Sequence, residues 1–460
     1  MTDQPTSFRA KPADKLGQHP VRHLAVLFVC CIAVFLAAIP VPRVDGQLTG
    51  SDGAFYYAYL PTLLVDRDLD FSNQYENLAP SAKPEILEHS EFDRFSNKYA
   101  VGPAVLWAPF FLAGHLLAIL LNAAGYSVAR DGMGYVHQIP TLLGSMVYGF
   151  AGILLVYRSC RRFFCRSDCA LAALLIWLAT NLIYYMLAEP SMAHTCSFFA
   201  VALFIELWLR FRPTPTLRQW ILLGLAGGLV ALVRLPDATW LALPFVDSLV
   251  SLGSAKAAGL RRQFIGFLLF VLGAAAAFSP QLAIWLALKG SAFHSLSMNP
   301  YEFFYWMKPE ILKVLFSLRH GFYTWHPVLL LATAGGVLLH RKDRILPLLL
   351  GLMFAAQLYV VGAWSGWWGG DSFGGRMLVS SLPALALGLA ALFDWAGGSK
   401  ARSYAAVSLA LVLIAWNGLF FAQYRLGYIS KSDAITIQQM TVGKFLMLKD
   451  LASRVHSKVR

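Results

Sequence analysis

The strongest constraint on this chain is a series of apolar runs that recurs from Val21 to Gln423. A helix rises about 1.5 Å per residue, so about twenty apolar residues cross a hydrocarbon layer about 30 Å thick. Across 460 residues the chain is 57% hydrophobic and only 14% charged, more apolar surface than a soluble core can hide. The expectation is an all-α polytopic membrane protein. Its first run, Val21 to Pro40, is too long for a signal-peptide core and lacks a small-residue cleavage pattern, so it reads as a retained span.

Candidate spans fall at 22–40, 136–157, 170–187, 194–209, 219–233, 238–250, 263–287, 327–340, 346–362, 377–393 and 403–423. That gives about 11 transmembrane helices, within a range of roughly 10 to 13 because Arg234-Leu-Pro-Asp237 either breaks one span or joins two. Arg9, Lys11, Lys15 and Arg22 place the N-terminus in the cytoplasm, and the basic loop Arg158–Arg166 belongs on the same side. An odd number of crossings must then separate residue 41 from residue 158. With 136–157 crossing, the apolar stretch 101–121 is expected to lie on the outer face as a juxtamembrane or shallow helix.

With that choice 210–218, 256–262, 340–344 and 400–402 fall inside, while a first loop, 41–100, and a second, 288–325, fall outside. The chain reads as one membrane domain, 1–460, closed by a short tail, 424–460, that ends outside. The net charge of +13 is dispersed among these loops, which marks orientation and excludes a nucleic-acid surface. Cys160, Cys165 and Cys169 have loose metal-site spacing but no accompanying His, so a structural role is expected of them.

The polar chemistry gathers outside. The first loop holds ten of the 25 acidic residues: Asp45, Asp52, Asp66, Asp68, Asp70, Glu76, Glu85, Glu88, Glu91 and Asp93. Asp52, between glycines and an aromatic run, suits a helix start, where the dipole favours its charge; a cap and a catalytic or metal role are both open to it. Lys98, just ahead of the apolar stretch, meets lipid headgroups and either snorkels or neutralises a phosphate. Glu189 and His194 lie five positions apart in a turn between spans and could converge with Asp52 on an acceptor hydroxyl or a divalent ion. In the second loop Arg319, His320 and His326 flank a glycine turn that could bind an anion or a sugar, with Tyr323 and Trp325 for stacking or interface anchoring. Arg376 closes the glycine- and tryptophan-rich loop Trp364–Arg376, which lacks the order of a nucleotide-binding P-loop and suits a phosphate contact. Arg234 either joins this group or answers Asp237.

Four segments together carry a resemblance: Ser51-Asp-Gly-Ala-Phe-Tyr-Tyr57, Asn97-Lys-Tyr-Ala-Val-Gly-Pro103, Phe316-Ser-Leu-Arg-His-Gly-Phe-Tyr-Thr-Trp-His-Pro327 and Trp367-Trp-Gly-Gly-Asp-Ser-Phe-Gly-Gly-Arg376. The chain resembles the multi-span GT-C glycosyltransferases, especially bacterial members related to protein O-mannosyltransferases and the aminoarabinose transferase of lipid A. That resemblance implies a sugar donor on a polyprenyl phosphate, transfer on the non-cytoplasmic side of a bacterial inner membrane, and an acidic residue of the first outer loop at the centre, here Asp52. It also implies a basic residue at Lys98 leading into a juxtamembrane helix. The proline pair that follows in relatives is replaced by Tyr99-Ala-Val-Gly-Pro103, and Gly53 stands where some relatives have a second acid.

The implied chemistry is one inverting displacement, with Asp52 as base, Lys98, Arg319 and Arg376 on the departing phosphate, His320 and Tyr323 near donor phosphate or sugar, and Glu189 or His194 orienting the glycan, lipid or protein acceptor. A metal at Asp52, Glu189 and His194 is an open alternative. A transporter or flippase would also explain the spans, but polar weight on one face and the absence of broken-helix repeats argue against it.

Overall fold

The structure, a computed structural model, describes residues 19–39, 47–50, 52–81, 95, 97–212, 214–251, 257–292 and 303–459. Asp45, Glu85, Glu88, Glu91 and Asp93 of the first loop, the N-terminal Arg9, Lys11 and Lys15, and Tyr301 of the second loop lie outside the described residues.

Helices follow the apolar runs closely: α1 (Pro20–Ala37), α2 (Asp52–Pro61), α3 (Ser72–Leu78), α4 (Gly102–Ala123), α5 (Tyr135–Cys160), α6 (Arg166–Leu178), α7 (Leu182–Leu187), α8 (His194–Phe211), α9 (Leu217–Val233), α10 (Leu243–Ser251), α11 (Ala257–Lys289), α12 (Ile311–Phe316), α13 (Phe322–Trp325), α14 (Pro327–Gly336), α15 (Leu346–Ala363), α16 (Leu382–Ala396), α17 (Lys400–Arg425), α18 (Ile437–Met440) and α19 (Val442–Val459). Among the described residues there is no named strand, and Phe304 and Trp364 form an isolated bridge. Eight helical stretches are long and apolar enough to cross a membrane, α4 among them. The other expected spans are shorter or broken: α6 and α7 are separate, α9 has 17 residues, and short 3-10 turns at Leu235–Ala242 and Val337–Arg341 adjoin α10 and α14.

Breaks in an apolar bundle must satisfy the backbone groups they free. Between α6 and α7, Asn417 Nδ2 of α17 donates to Leu178 O and Thr180 O, each at 2.8 Å. Helices come close where side chains are small: a Cβ built on Gly224 or Gly228 of α9 would fall 2.2 or 2.3 Å from the Phe270 or Ala274 carbonyl of α11.

Contacts sort the helix ends onto two faces. The start of α1, the end of α5 and the start of α6 share a cleft lined by Arg22, Arg161 and Arg166, and nearby Arg162 pairs with Glu206 near the end of α8 at 2.9 Å. At the opposite face the start of α5 meets the first loop, where the Leu48 and Thr49 amides donate to Gln138 Oε1 and Tyr57 Oη donates to Gly132 O. α4 runs antiparallel along the first half of α5, with Gly114 against Val136 and His137, and Phe110 against Gly144.

Candidate functional site

Asp52 opens α2, where a carboxylate is favoured by the helix dipole. Gly53 explains how α2 reaches the turn before α8: a Cβ there would lie 2.1 Å from Ser191 Oγ. α2 also fixes the segment ahead of α4. Asn97 Nδ2 donates to Phe55 O at 2.7 Å, and Tyr59 Oη donates to Tyr99 O at 2.8 Å. So held, Tyr99 stacks on Phe55 with centroids 5.2 Å apart and donates its hydroxyl to Asp52 Oδ1 at 2.8 Å. Burial, and then the Asp52 charge, push the Tyr99 phenol well above its usual value, so it stays a proton donor to the carboxylate.

The other Asp52 oxygen faces Arg376, whose Nη2 is 2.9 Å from Oδ2. Arg376 is delivered by the glycine-rich loop. Gly374 has φ +70°, and a Cβ on it would fall 2.2 Å from His326 Nε2, so the position needs glycine twice over. Beside it Phe373 N donates to Tyr185 Oη at 3.1 Å and Ser372 Oγ donates to Gly374 O at 2.7 Å. The Phe373 ring sits among Tyr184, Trp325, Phe420, Phe421 and Tyr424. The loop is therefore anchored by an aromatic nest, and Arg376 is 6% exposed with Nε and Nη1 lacking any hydrogen-bond partner.

Glu189 and His194 lie on the same side of the bundle. Glu189 Oε1 accepts from Tyr184 Oη at 2.7 Å. Burial pushes its carboxyl up, opposed by that hydrogen bond and by Arg376, Arg425 and Lys431. His194 is buried with its ring centroid 4.6 Å from that of Tyr185, and its Nδ1 has no partner. Both it and Tyr56 are within electrostatic reach of Arg376 and Arg234. The possible metal set of Asp52, Glu189 and His194 does not gather as one: among the described residues no three His, Cys, Asp or Glu side chains come together for an ion. Asp52 turns to Tyr99 and Arg376, and Glu189 turns to Tyr184.

The remaining expected donor contacts divide. Lys98 flanks the site, its Nζ 5.5 Å from the Tyr99 ring centroid. Arg319 lies 4.2 Å over the Trp368 ring and its Nε donates to Ser432 O at 2.6 Å, contacts that join the glycine-rich loop to the tail. His320, at φ +60°, places Nδ1 2.9 Å from Trp368 O, and burial lowers its imidazole to about 4. Tyr323 points away from the cluster, its hydroxyl 2.9 Å from Thr333 Oγ1 of α14. Tyr99 was missed by sequence reasoning, although it directly follows Lys98; Asp237 was seen only as a partner for Arg234.

No family model and no curated protein matches the chain. Among solved structures it is similar to the archaeal oligosaccharyltransferase AglB from Archaeoglobus fulgidus. The structure of that protein in complex with an inhibitory peptide and a dolichol-phosphate matches at TM-score 0.50 and 13% identity, over 92% of this chain and 57% of that one. The apo form matches at TM-score 0.53 and 14% identity, with the same coverage. The likeness is one of fold, and this chain spans 57% of the length of those relatives. The fold is all-α, polytopic and GT-C-like.

Proposed function

We propose that this protein is a glycosyltransferase that moves a sugar from a polyprenyl-phosphate donor to a glycan, lipid or protein acceptor at the outer face of a bacterial inner membrane. The observation that carries this reading is the Asp52–Arg376 pair: a carboxylate and a guanidinium at 2.9 Å, the carboxylate side chain 30% exposed, at a bundle end that also presents Lys98 and Glu189. Fold likeness to a protein seen with a dolichol-phosphate supports a lipid-linked donor. The subgroup related to protein O-mannosyltransferases and the aminoarabinose transferase is the finer part of the proposal.

The reaction is one displacement at the anomeric carbon. The acceptor oxygen attacks as its proton passes to Asp52, a new C–O bond forms, and the bond from the anomeric carbon to the phosphate oxygen breaks with inversion. The polyprenyl phosphate leaves with the electron pair, its charge met by Arg376 and Lys98. Tyr99 keeps the Asp52 carboxylate aimed, and Glu189 and His194 border the space for the acceptor.

We place α4 along the outer boundary without crossing. The end of α1 and the start of α5 belong to one face, so the chain between them crosses an even number of times, and among the described residues α4 is the one stretch there long enough to cross. The basic cleft of Arg22, Arg161 and Arg166 assigns its face to the cytoplasm, which puts the N-terminus inside and the site outside. Purified protein incubated with labelled polyprenyl-phosphate sugars and candidate acceptors tests the reading: transfer that Asp52→Asn abolishes is expected, and transfer undiminished in well-folded Asp52→Asn would sink it.

A further inference from the structure

Arg234 occupies a break in the bundle, in extended conformation (φ −151°, ψ 114°) between α9 and the 3-10 turn Leu235–Ala242. The residues just before it abut the segment that carries Tyr99, since a Cβ on Gly102 would lie 2.4 Å from Leu232 O. Arg234 is 7% exposed. Its Nη2 reaches only a weak acceptor, Met377 Sδ at 3.2 Å, in the residue that follows Arg376. Its Nη1 lies 3.5 Å from Asp237 Oδ1 and has no hydrogen-bond partner.

Asp237 is fully buried and immobilised from two other helices. Ser197 Oγ of α8 donates to Oδ2 at 2.6 Å, and Gln357 Nε2 of α15 donates to Oδ1 at 3.1 Å. Gln357 is fixed in turn, its Oε1 accepting from Thr239. This network spends its hydrogen bonds on holding the Asp237 carboxylate, leaving Arg234 Nη1 without a hydrogen bond. Arg376 Nε and Nη1 and His194 Nδ1 are likewise buried without partners. The two nearly buried guanidiniums are both within electrostatic reach of Tyr56 and His194, and each is answered by one carboxylate while keeping at least one open donor. Such open donors are costly when buried, and a tetrahedral oxyanion offers acceptors for both sets.

We infer that Arg234 is a second binding residue for the phosphate that leaves with the carrier lipid, and that Asp237 is the positioning residue that aims it. This rests on the glycosyltransferase reading above and deepens it by naming how the leaving group is held. Arg234 moves no proton and breaks no bond; it holds the phosphate charge of the bound donor and of the departing carrier alike.

The test uses the full chain in detergent micelles, with farnesyl phosphate as probe, farnesol as the uncharged control and tryptophan fluorescence as readout. Arg234→Gln is expected to weaken farnesyl phosphate binding by about tenfold or more while leaving farnesol unchanged, and Arg234→Lys to restore part of the loss. Asp237→Asn is expected to weaken binding when Arg234 is present and to add nothing in the Arg234→Gln background. In turnover, Arg234→Gln should raise the donor KM by a larger factor than it lowers kcat. Equal binding by wild type and folded Arg234→Gln overturns the inference, as does equal loss of farnesol, which would mark a merely structural role. Displacement of the probe by an equal concentration of inorganic phosphate would assign the site to free phosphate and overturn it as a carrier contact. Loss of binding in Arg376→Gln with none in Arg234→Gln removes this inference alone, whereas a wild type that does not distinguish farnesyl phosphate from farnesol removes it and the underlying reading together.

Discussion

Asp52 and Arg376 stand 324 positions apart in the chain and 2.9 Å apart in the structure. One comes from the first loop, the other from the mouth of α16, and neither is placed by its own element alone. The α2 contact through Gly53 and the aromatic nest around Phe373 bring them together.

Asp52→Asn keeps the shape of the side chain and removes its capacity to take a proton. Sugar transfer is expected to fall roughly 10²- to 10⁴-fold, with donor binding retained, as measured by product formation from a labelled lipid-linked sugar.

Arg376→Gln removes the guanidinium and leaves Asp52 facing Tyr99. A loss of roughly 10²- to 10³-fold in kcat/KM is expected. Because Arg376 Nε and Nη1 are already without partners, Arg376→Lys should recover only a small part of it, since one ammonium cannot present the same fork of donors.

Gly53→Ala tests the close approach of α2 to the turn before α8. A methyl placed 2.1 Å from Ser191 Oγ forces α2 outward, and a destabilisation of about 1–3 kcal/mol is expected, with loss of transfer, read by thermal unfolding and activity together. Unchanged Tm and unchanged transfer would show that α2 is not fixed there.

Lys444 supplies a pH dependence. It is fully buried at the start of α19, its Nζ 3.2 Å from Gln423 Oε1 and over the rings of Trp416 (4.4 Å) and Phe420 (3.6 Å). Burial lowers its ammonium to about 7, whereas in an unfolded chain it titrates at about 10.4. Between those values the unfolded state binds more protons, so stability rises with pH across that window and is flat below it. Tm of the detergent-solubilised protein should climb between about pH 7 and 10, and Lys444→Met should flatten that part of the slope.

The bundle was largely legible in the sequence because span length is set by bilayer thickness, and a run such as Leu346–Ala363 carries that signal by itself. Asp52 and Arg376 were each visible from local context, as a carboxylate at a helix start and a cation after a glycine-rich loop. Their pairing was not, because no periodicity links positions so far apart. For Arg319 and Tyr323 the residue types were legible and their partners were not. Both have the chemistry for a donor site, but their orientation is decided by Trp368 and Thr333, partners that no local pattern announces. Tyr99 escaped notice because it reads as an interface aromatic until Asn97 and Tyr59 are seen to pin it under Asp52.

In the proposed reaction the contact between Asp52 and Arg376 also sets an order of events. The Asp52 carboxylate is the counter-ion of the Arg376 guanidinium, so an acceptor arriving first meets a base whose lone pairs are already engaged by Arg376 and Tyr99. A donor phosphate that captures Arg376 releases Asp52 in the same act. Donor binding thus arms the base, and the reaction is expected to follow a compulsory sequence, donor before acceptor, which product-inhibition kinetics reads directly; random order would remove this interlock.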